Sequence, residues 1–413
     1  MCTIDSTQSQ TTTVTSTEPD AASRPRWLRR GKQIALQSDE NVTLDIDQLL
    51  DGGVGFVLHD AWRLVSAYSD EALKLTSGQL EFLLEFPSEQ WTTTENWDAE
   101  HWLLVEPLLS AEVFDIASSA ASPVDNSNTD PARGWWSNAA VYHRTARWEN
   151  IDAVEGAKAA GGVFLETLLD RRGSPPQPRR NDASEAIALS KHELDDFDEE
   201  LAKRVTCRNF DTTKPLPLEI LARVLRRTLG AQHVLYHDGM VVTIKKNVPS
   251  GGGFHSVEAY LVARNVKGLD RGLYYYDAID HSLAHLPDPE MPLDEFASLA
   301  LARQEYFAQA PVLLVLAPRF PRCYWKYRNH TKAYRVTIVD TGHISQLLFS
   351  CAQREGLGAF FTSAINEIDI ENAFDMAPLE QSPLGICGLG WRTSRQVESE
   401  MDPGEHIWRR CSP

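Results

Sequence analysis

The stretch Asn247-Val-Pro-Ser-Gly-Gly-Gly-Phe-His-Ser-Val-Glu-Ala-Tyr260 decides how the fold of this chain is interpreted. Three glycines follow a Pro-Ser turn, and because glycine has no side chain their backbone N–H groups can approach a flat ligand closely. Ser250, Gly251 and Gly252 are therefore candidate ligand contacts. A flexible loop that binds nothing is the competing interpretation of such a run taken alone.

From about Leu189 onward the sequence around this loop alternates between predicted helices and strands. Strands are predicted at 257–264, 272–276 and 385–390. The run at 311–318 is apolar throughout, which predicts a central strand buried on both faces. One helix is predicted to start at Pro217 and stop at Gly230, and another to run from an N-cap at Asp340 to Gly356 at the C′ position.

Arg204, Thr206 and Arg208 alternate in the segment Lys203-Arg-Val-Thr-Cys-Arg-Asn-Phe-Asp211, just before the first of these helices. In extended backbone all three side chains point to the same side. Two guanidinium groups and a hydroxyl on one side suit a phosphate and the polar edge of a ring-shaped ligand. A solvated strand edge is the alternative, and the segment alone does not decide between them.

Lys326 and Tyr327 form a second candidate site, in the segment Tyr324-Trp-Lys-Tyr-Arg-Asn-His-Thr-Lys-Ala-Tyr-Arg335. Their protons can move if burial lowers the pKa of the lysine below its usual value of ~10.4. A Lys and a Tyr on a surface loop are the alternative. The helix end Gly356-Leu-Gly-Ala-Phe-Phe-Thr362 follows, after which the chain turns closely.

Composition and charge restrict the class of protein. Apolar residues fill 42% of the 413 positions, enough for a real core, and the formal net charge of −18 argues against a nucleic-acid partner. The six cysteines include no C-x-x-C pair, so a zinc ribbon or redox dithiol is not indicated. No apolar run reaches the ~20 residues of a membrane helix, and the N-terminus lacks the apolar core of a signal peptide. We expect a soluble cytoplasmic protein that binds neither nucleic acid nor a membrane.

Four segments are predicted along the chain: a disordered polar tail at 1–24, a small α+β domain at 25–116, a linker with a Trp-rich segment at 117–187, and the domain that carries the candidate sites at 188–400. The Trp-rich segment runs from Trp135 to Trp148. It either grips a peptide or a partner subunit, or packs its rings into the domain core, and the second interpretation is favoured.

The common nucleotide, metal and hydrolase motifs are missing. There is no G-x-x-x-x-G-K-[ST], no H-E-x-x-H, no G-x-S-x-G, and no G-x-G-x-x-G between a strand and a helix. A dehydrogenase built on a Rossmann domain is therefore disfavoured, and no metal site is indicated.

The order of the remaining motifs resembles the nitroreductase superfamily. Its landmarks are matched by Arg-x-Thr-x-Arg-x-Phe at the start of the domain, by the Pro-Ser-Gly loop and by the helix that ends in Gly-Leu-Gly. Four stretches, in this order along the chain, resemble the SagB-type branch of azoline dehydrogenases: 250–260, 326–327, 333–335 and 340–346. The Trp-rich segment is similar to a subgroup of peptide maturation dehydrogenases.

The resemblance implies an α+β fold of the nitroreductase type, in which a central mixed sheet flanked by helices binds FMN, with an extra N-terminal α+β domain. It also implies roles for single residues. Those that would hold FMN are Arg204, Thr206 and Arg208 at the phosphate and pyrimidine edge, Ser250, Gly251 and Gly252 across the interface of a homodimer, Phe361 and Thr362 near flavin N5, and Arg392 at the phosphate, with Arg395 as the fallback. Lys326 would be the base and Tyr327 a proton donor or an orienting group.

The function implied is the oxidation of thiazoline or oxazoline rings to thiazole or oxazole in a ribosomally made precursor peptide, within a complex that can include a cyclodehydratase. Two alternatives stay open. One is an NAD(P)H-dependent reductase of nitroaromatics or quinones, which needs no lysine base. The other is a non-catalytic partner that binds a peptide within a modification complex.

Overall fold

The structure is a computed structural model that describes residues 24–44, 56–117, 132, 134–159, 165–178 and 187–408. Its contacts divide the chain into two compact units, Met1–Asn126 and Ser127–Pro413. The boundary between the units falls inside the linker predicted at 117–187. The tail predicted at 1–24 lies outside the described residues, apart from Arg24.

In its described residues, the first unit combines two small antiparallel sheets with two helices. Its elements are β1 Trp27–Arg30, β2 Ile34–Leu44, β3 Phe56–Ser66, β4 Leu73–Leu75, α1 Ser77–Glu85, β5 Thr92–Thr93, α2 Ala99–Ser110 and β6 Phe114–Ala117. β1 lies between β5 and β6, and β3 lies between β2 and β4. Thr76 caps α1 in a capping box with Gln79, which satisfies backbone donors that a helix start leaves free. The extra N-terminal α+β region is therefore present.

The second unit carries the remaining elements. Its helices are α3 Ser137–Thr145, α4 Ala153–Ala159, α5 Leu165–Arg172, α6 Asp196–Ala202, α7 Leu218–Thr228, α8 Leu293–Ala300, α9 Glu305–Ala308, α10 Phe320–Tyr324, α11 Ala333–Arg354 and α12 Glu367–Phe374. Its strands are β7 Leu216–Pro217, β8 His233–His237, β9 Met240–Lys245, β10 Val257–Ala263, β11 Val266–Lys267, β12 Gly272–Asp277, β13 Ser282–Leu286, β14 Val312–Pro318, β15 Gly358–Thr362 and β16 Gly385–Gly390.

A six-stranded sheet in the order β13-β12-β10-β14-β16-β15 forms the centre of this unit. Each neighbouring pair of these strands is antiparallel. The parallel component is a bridge from Thr206 to Ala359, which adds the start of the domain to the β15 edge. β8 and β9 form a separate hairpin.

The strand β14 is buried along its whole length, as its continuous apolar run predicted. Because alternate side chains of a strand point to opposite faces, Leu314 and Leu316 pack with α7 and α11, while Leu313 and Val315 pack with α8, α9 and α12. Truncating such a leucine to alanine typically costs ~2–5 kcal/mol of stability. Helices therefore cover both faces of the sheet, and the predicted nitroreductase-like α+β fold is confirmed.

Two predicted helix starts are wrong. Pro217 caps α7 from outside, and the helix begins at Leu218. Asp340 is not the N-cap of α11, which begins at Ala333, because its carboxylate accepts hydrogen bonds from the distant Ser250 loop rather than from the first turn of a helix. The predicted end of α11 is correct, since Gly356 follows the cap residue Glu355 with a φ of +75° that favours glycine.

Candidate functional site

The extended segment after α6 presents its side chains alternately, as the sequence predicted. Val205, Cys207 and Asn209 are buried, whereas Arg204 is exposed and both Thr206 and Arg208 are only partly covered. The backbone N–H of Cys207 donates to the Ala359 carbonyl at 2.8 Å, which fixes the segment along β15. Arg204, Thr206 and Arg208 therefore alternate with the buried side chains, and the guanidinium of Arg204 lies against α11 whereas that of Arg208 lies against α9.

Neither arginine of this group is paired with a carboxylate. The Arg204 guanidinium lies 5.7 Å from the ring centroid of Phe349, and that of Arg208 lies 5.7 Å from the ring of Tyr306. Arg208 Nη1 donates to the Ser399 carbonyl at 3.0 Å. Among the described residues no salt bridge engages either guanidinium, so both are available to an anionic group.

Arg392 lies close by but has partners already. Its guanidinium forms a salt bridge with Glu400, whose side chain is fully buried, and donates to the Val205 carbonyl at 2.6 Å. Glu400 also accepts from the indole of Trp408 at 2.8 Å and from the backbone of Arg208 at 2.6 Å. A phosphate at Arg392 would have to compete with this carboxylate. Arg395, the fallback, is exposed.

The glycine loop is held by Asp340 of α11. Ser250 Oγ donates to Asp340 Oδ2 at 2.5 Å, and the Gly251 N–H donates to Oδ1 at 3.2 Å. Burial is the main reason that the pKa of Asp340 is raised, although these two hydrogen bonds act in the opposite direction. Gly252 has a φ of +70°, which glycine adopts without strain. The loop is therefore fixed by a buried acceptor rather than flexible.

Lys326 and Tyr327 lie in the turn between α10 and α11, and they contact this loop. A methyl group at Gly252 would lie 2.7 Å from Tyr327 Oη and 3.3 Å from Lys326 Nζ, so no side chain fits at that position without displacing the pair. Lys326 Nζ also lies 5.7 Å from the ring centroid of Phe254. Lys326 is exposed and Tyr327 half-buried in the single chain. The structure thus brings two of the predicted groups together.

An aromatic cluster supports this turn from behind. Trp135 is buried against Phe320 and Tyr324, with ring centroids 4.7 and 4.8 Å away, and stacks on His143. His143 Nδ1 lies 3.0 Å from the hydroxyl of Tyr334 in α11. The start of the Trp-rich segment therefore packs into the domain, whereas Trp136, Tyr142 and Trp148 stay exposed.

Phe361 and Thr362 lie in β15, the strand to which the Arg204–Arg208 segment is bonded. Phe361 pairs with Cys387 of β16. Thr362 is buried, and its hydroxyl accepts from the Ala364 N–H at 3.2 Å. The predicted site residues therefore form two groups, one along β15 and one at the start of α11.

The two groups contact α11 at different positions along the helix axis. The glycine loop is bonded to Asp340, whereas Arg204 packs on Phe349, nine residues further along. At 1.5 Å per residue this is a separation of about 14 Å along the helix axis.

Three residues that sequence reasoning missed shape these groups: Asp340 as the anchor of the loop, Glu400 as the partner of Arg392, and Lys246, which is buried behind the loop. The sequence predicts Asp340 as a helix cap and as part of the 340–346 stretch, but not as the acceptor for the glycine loop. A single sequence carries no signal for such pairings, because the residues are far apart in the chain.

Clusters of metal ligands and membrane-spanning helices are absent from the described part of the chain. No group of three His, Cys, Asp or Glu side chains there is placed to hold a metal ion. Within the same residues, no helix combines the length and apolar character that membrane crossing requires. The two groups around α11 therefore remain the candidate site.

Flavin fits the residues present. A phosphate needs cationic donors without a competing carboxylate, which Arg204 and Arg208 supply. A flat ring needs backbone without a side chain in the way, which Gly251 and Gly252 supply.

Comparisons with known proteins agree with this fold. A family model described as the nitroreductase family matches residues 201–391. A Methanocaldococcus jannaschii protein named "Putative nitroreductase MJ1384" is 30% identical over 190 residues, which are 46% of this chain and 88% of that protein. The trifolitoxin-processing protein TfxB of Rhizobium leguminosarum bv. trifolii is 28% identical over 146 residues, 34% of this chain, and the match spans only 38% of TfxB.

Solved structures show likeness of fold only. The E. coli microcin synthetase McbBCD complex with truncated pro-MccB17 bound includes a chain that is 17% identical, with a TM-score of 0.49 over 66% of this chain and 95% of that one. An FMN-dependent nitroreductase of Clostridium difficile R20291 is 15% identical, with a TM-score of 0.31 over 48% of this chain and 88% of that one. From the identity to the M. jannaschii protein over most of its length, together with the family model, this chain belongs to the nitroreductase family.

Proposed function

We propose that this chain is an FMN-dependent dehydrogenase that oxidises thiazoline or oxazoline rings of a ribosomally made peptide to thiazole or oxazole, acting as a homodimer. The observation that carries the proposal is the contact of Lys326 and Tyr327 with Gly252. A pair of groups that can move a proton is thereby placed against the loop that would contact the flavin. A simple reductase of nitro groups has no need of such a pair.

Each cofactor would be held by the Arg204 group of one copy and by the glycine loop of the other copy in the homodimer. Arg204 and Arg208 would pair with its phosphate, and Thr206 would bond to the polar edge of its ring. Ser250, Gly251 and Gly252 would contact the ring, and Phe361 and Thr362 would line it from β15. FMN, when bound, supplies the acceptor for the hydride that leaves the substrate.

Lys326 would act as the base. The ring carbon between the carbonyl and the imine nitrogen of an azoline is acidic, so Lys326 Nζ can remove its proton once the amine is neutral. Tyr327 Oη would orient the ring or donate a proton to it. A base of this kind typically contributes ~10²–10⁴-fold in rate.

A second copy would complete the site. In one chain the glycine loop and the Arg204 segment contact α11 about 14 Å apart along its axis, so each could serve a different flavin. Ile338 and Val339 are exposed on the same helix, with 46% and 47% of their surfaces accessible. Burying these side chains between two copies would stabilise a homodimer.

The peptide substrate is supported by one relative whose name describes peptide processing, the trifolitoxin-processing protein. A cyclodehydratase, which would make the azoline, is the partner expected in a complex. The alternative of an NAD(P)H-dependent reductase is favoured by the name of the M. jannaschii relative. It predicts oxidation of NAD(P)H with a quinone or nitroaromatic acceptor and no role for Lys326.

One preparation tests both functions. The purified protein should carry flavin bands in its absorbance spectrum, and an azoline peptide incubated with it should lose two hydrogens by mass spectrometry. Rapid NAD(P)H oxidation with a nitroaromatic acceptor, and no change in the peptide, would favour the reductase. A colourless protein that takes up no FMN would contradict both, and would leave the non-catalytic peptide-binding role.

A further inference from the structure

A cavity of about 240 Å³ lies among β9, β10, β12 and α10, next to the glycine loop. The acidic, basic and imidazole side chains in its wall are Lys246, His255, Glu258, Asp277, Arg319 and Arg322. Val241, Ile244 and Ala259 supply apolar parts of the wall. Arg319 and Ile279 at its rim are exposed, which gives solvent access. None of these residues takes part in the proposed proton transfer.

Lys246 is the unusual member of this wall. Only 2% of its surface is accessible, and its ammonium makes one long hydrogen bond, 3.4 Å to the Val257 carbonyl. Within the described residues it forms no salt bridge. Burial lowers the pKa of Lys246 to about 8, while Glu258 and Asp340 act in the opposite direction and Arg322 adds to the lowering. The side chain is therefore still mostly charged near neutral pH, and a buried charge without a partner is costly.

The cavity wall carries one positive charge more than its carboxylates balance. Arg319 pairs with Glu258 at 2.8 Å. Among the partners that the described residues offer, Arg322 donates only to backbone carbonyls, those of Phe254 at 2.7 Å and Val242 at 3.2 Å. With Asp277 included, the wall has three cations, Lys246, Arg319 and Arg322, and two carboxylates, those of Glu258 and Asp277. His255 adds no charge near neutral pH, because burial lowers its pKa to about 4.

We propose that this cavity binds the side-chain carboxylate of an acidic residue in the peptide substrate. One surplus positive charge matches one carboxylate, whereas a doubly charged phosphate would face Glu258 and Asp277 with an uncompensated charge. The apolar wall suits the methylene groups of a glutamate. The inference rests on the proposed function in one respect only, that the carboxylate is carried by a peptide.

The position of the cavity links it to the reacting groups. Arg322 bonds to the carbonyl of Phe254, and the ring of Phe254 lies 5.7 Å from Lys326 Nζ. An acidic residue held by Lys246 and Arg322 would therefore place a neighbouring ring of the same peptide near Lys326. The cavity would select peptides with an acidic residue close to the azoline.

The test compares two capped tripeptides, Ac-Gly-Glu-Gly-NH₂ and Ac-Gly-Gln-Gly-NH₂, with the flavin-loaded protein by saturation-transfer NMR titration. Lys246→Met removes the buried charge but keeps the aliphatic chain. Lys245→Met is the matched control, because Lys245 is exposed and outside this wall. Val241→Phe fills the cavity without altering a cation, so it tests the same site if Lys246→Met folds poorly. Acetate and inorganic phosphate are competitors.

We expect the Glu peptide to bind at least about tenfold more tightly than the Gln peptide, since a hydrogen bond to a charged group is lost. Lys246→Met and Val241→Phe should abolish this preference, and Lys245→Met should keep it. Without peptide, Lys246→Met should melt at the same or a higher temperature than the wild type, because it removes an unpaired buried charge.

Equal binding of the two tripeptides, an unchanged preference in Lys246→Met, or a clear loss of its stability would overturn the proposal. If acetate displaces the Glu peptide at an equal concentration, the ligand need not be a peptide and the proposal is overturned. If phosphate binds more tightly than the Glu peptide, the match between one surplus positive charge and one carboxylate is wrong. Failure of the proposed function is distinguishable: a protein that oxidises azolines without a Glu preference contradicts only the cavity. A preference without azoline oxidation contradicts only the dehydrogenase.

Discussion

The two ends of α11 hold their polar groups in different ways. At the Asp340 end, a buried carboxylate fixes Ser250 and Gly251, and the loop closes on Lys326 and Tyr327. At the Phe349 end, Arg204 and Arg208 project from a strand edge, and no carboxylate pairs with them in the described residues. Long-range hydrogen bonds hold both ends, but at the first they fix the loop that contacts Lys326 and Tyr327, whereas at the second they fix the backbone beside the two arginines.

The difference indicates a division of work. Rigid placement suits groups that must meet reacting atoms, because small displacements there reduce rate strongly. Long arginine side chains at an open edge suit the capture of a phosphate, since their forked donors can adjust to it. Substitutions at the two ends should accordingly change different measured quantities.

Lys326→Ala should have the largest effect. We expect azole formation to fall by ~10²–10⁴-fold, because the base is lost. Flavin absorbance and the size of the assembly should be unchanged, since Lys326 is exposed in the single chain and alanine keeps the backbone of its turn. Mass spectrometry of an azoline peptide measures the conversion. Lys332→Ala, which changes an exposed lysine at the end of the same turn, is the matched control. Normal turnover by Lys326→Ala would remove the pair from the reaction.

Arg392→Ala should mainly affect stability. It leaves the buried carboxylate of Glu400 without its cation, and breaking a buried ion pair typically costs ~3–5 kcal/mol. Chemical denaturation of the variant measures this cost. Adding Glu400→Gln should recover part of it. If Arg392→Ala keeps full stability but loses flavin, its main partner is the phosphate after all.

Arg208→Ala should weaken flavin binding with less effect on stability. A charge-assisted hydrogen bond is worth ~1.5–3 kcal/mol, which corresponds to roughly ten- to more than a hundredfold in affinity. Titration of the flavin-free protein with FMN gives the affinity. Arg271→Ala, which removes an exposed arginine from a surface ion pair with Asp294, should leave it unchanged. Unchanged FMN affinity in Arg208→Ala would mean that the phosphate binds elsewhere.

Mild acid should loosen the Lys326 end, and over the first pH unit below 6.5 this is the smallest effect of the four. Burial lowers the pKa of His143 from 6.5 to about 3, with Arg147 contributing. Between those pH values the unfolded chain binds a proton at this histidine that the folded chain does not, so stability falls as pH decreases through this window. Thermal melts at several pH values should show this fall, and it should be smaller in His143→Gln. His237→Gln, at an exposed histidine, is the control. Identical pH profiles for wild type and His143→Gln would contradict the assignment.

Much of the fold could be predicted from local pattern. The apolar run of β14, the alternation of Arg204, Thr206 and Arg208, and the glycine that ends α11 depend on neighbours in sequence, and each matches the structure. The start of α11 could not be predicted from local pattern, because the β-branched residues before Asp340 do not favour a helix on their own. Packing of this turn against α10 and the Trp-rich segment stabilises it instead.

The contacts that shape the candidate site were not predictable in the same way. Asp340 and Ser250 are 90 residues apart, and Arg208 is 192 residues from Glu400. No local period records such pairings. The burial of Lys246 likewise follows from the sheet and hairpin around it, whereas its neighbour Lys245 is exposed.

The hydrogen bonds of the Asn209 side chain have a consequence for when this part of the domain can be completed during synthesis. Its side-chain amide bonds to the backbone of Val397 and Glu398 and to the carboxylate of Glu400, which is 191 residues later in the chain. At a synthesis rate of ~5–20 residues per second, roughly 10 to 40 s separate the two partners. These hydrogen bonds can therefore form only after residue 400 has been translated, so the proposed binding of a phosphate at the Arg204–Arg208 edge would follow synthesis.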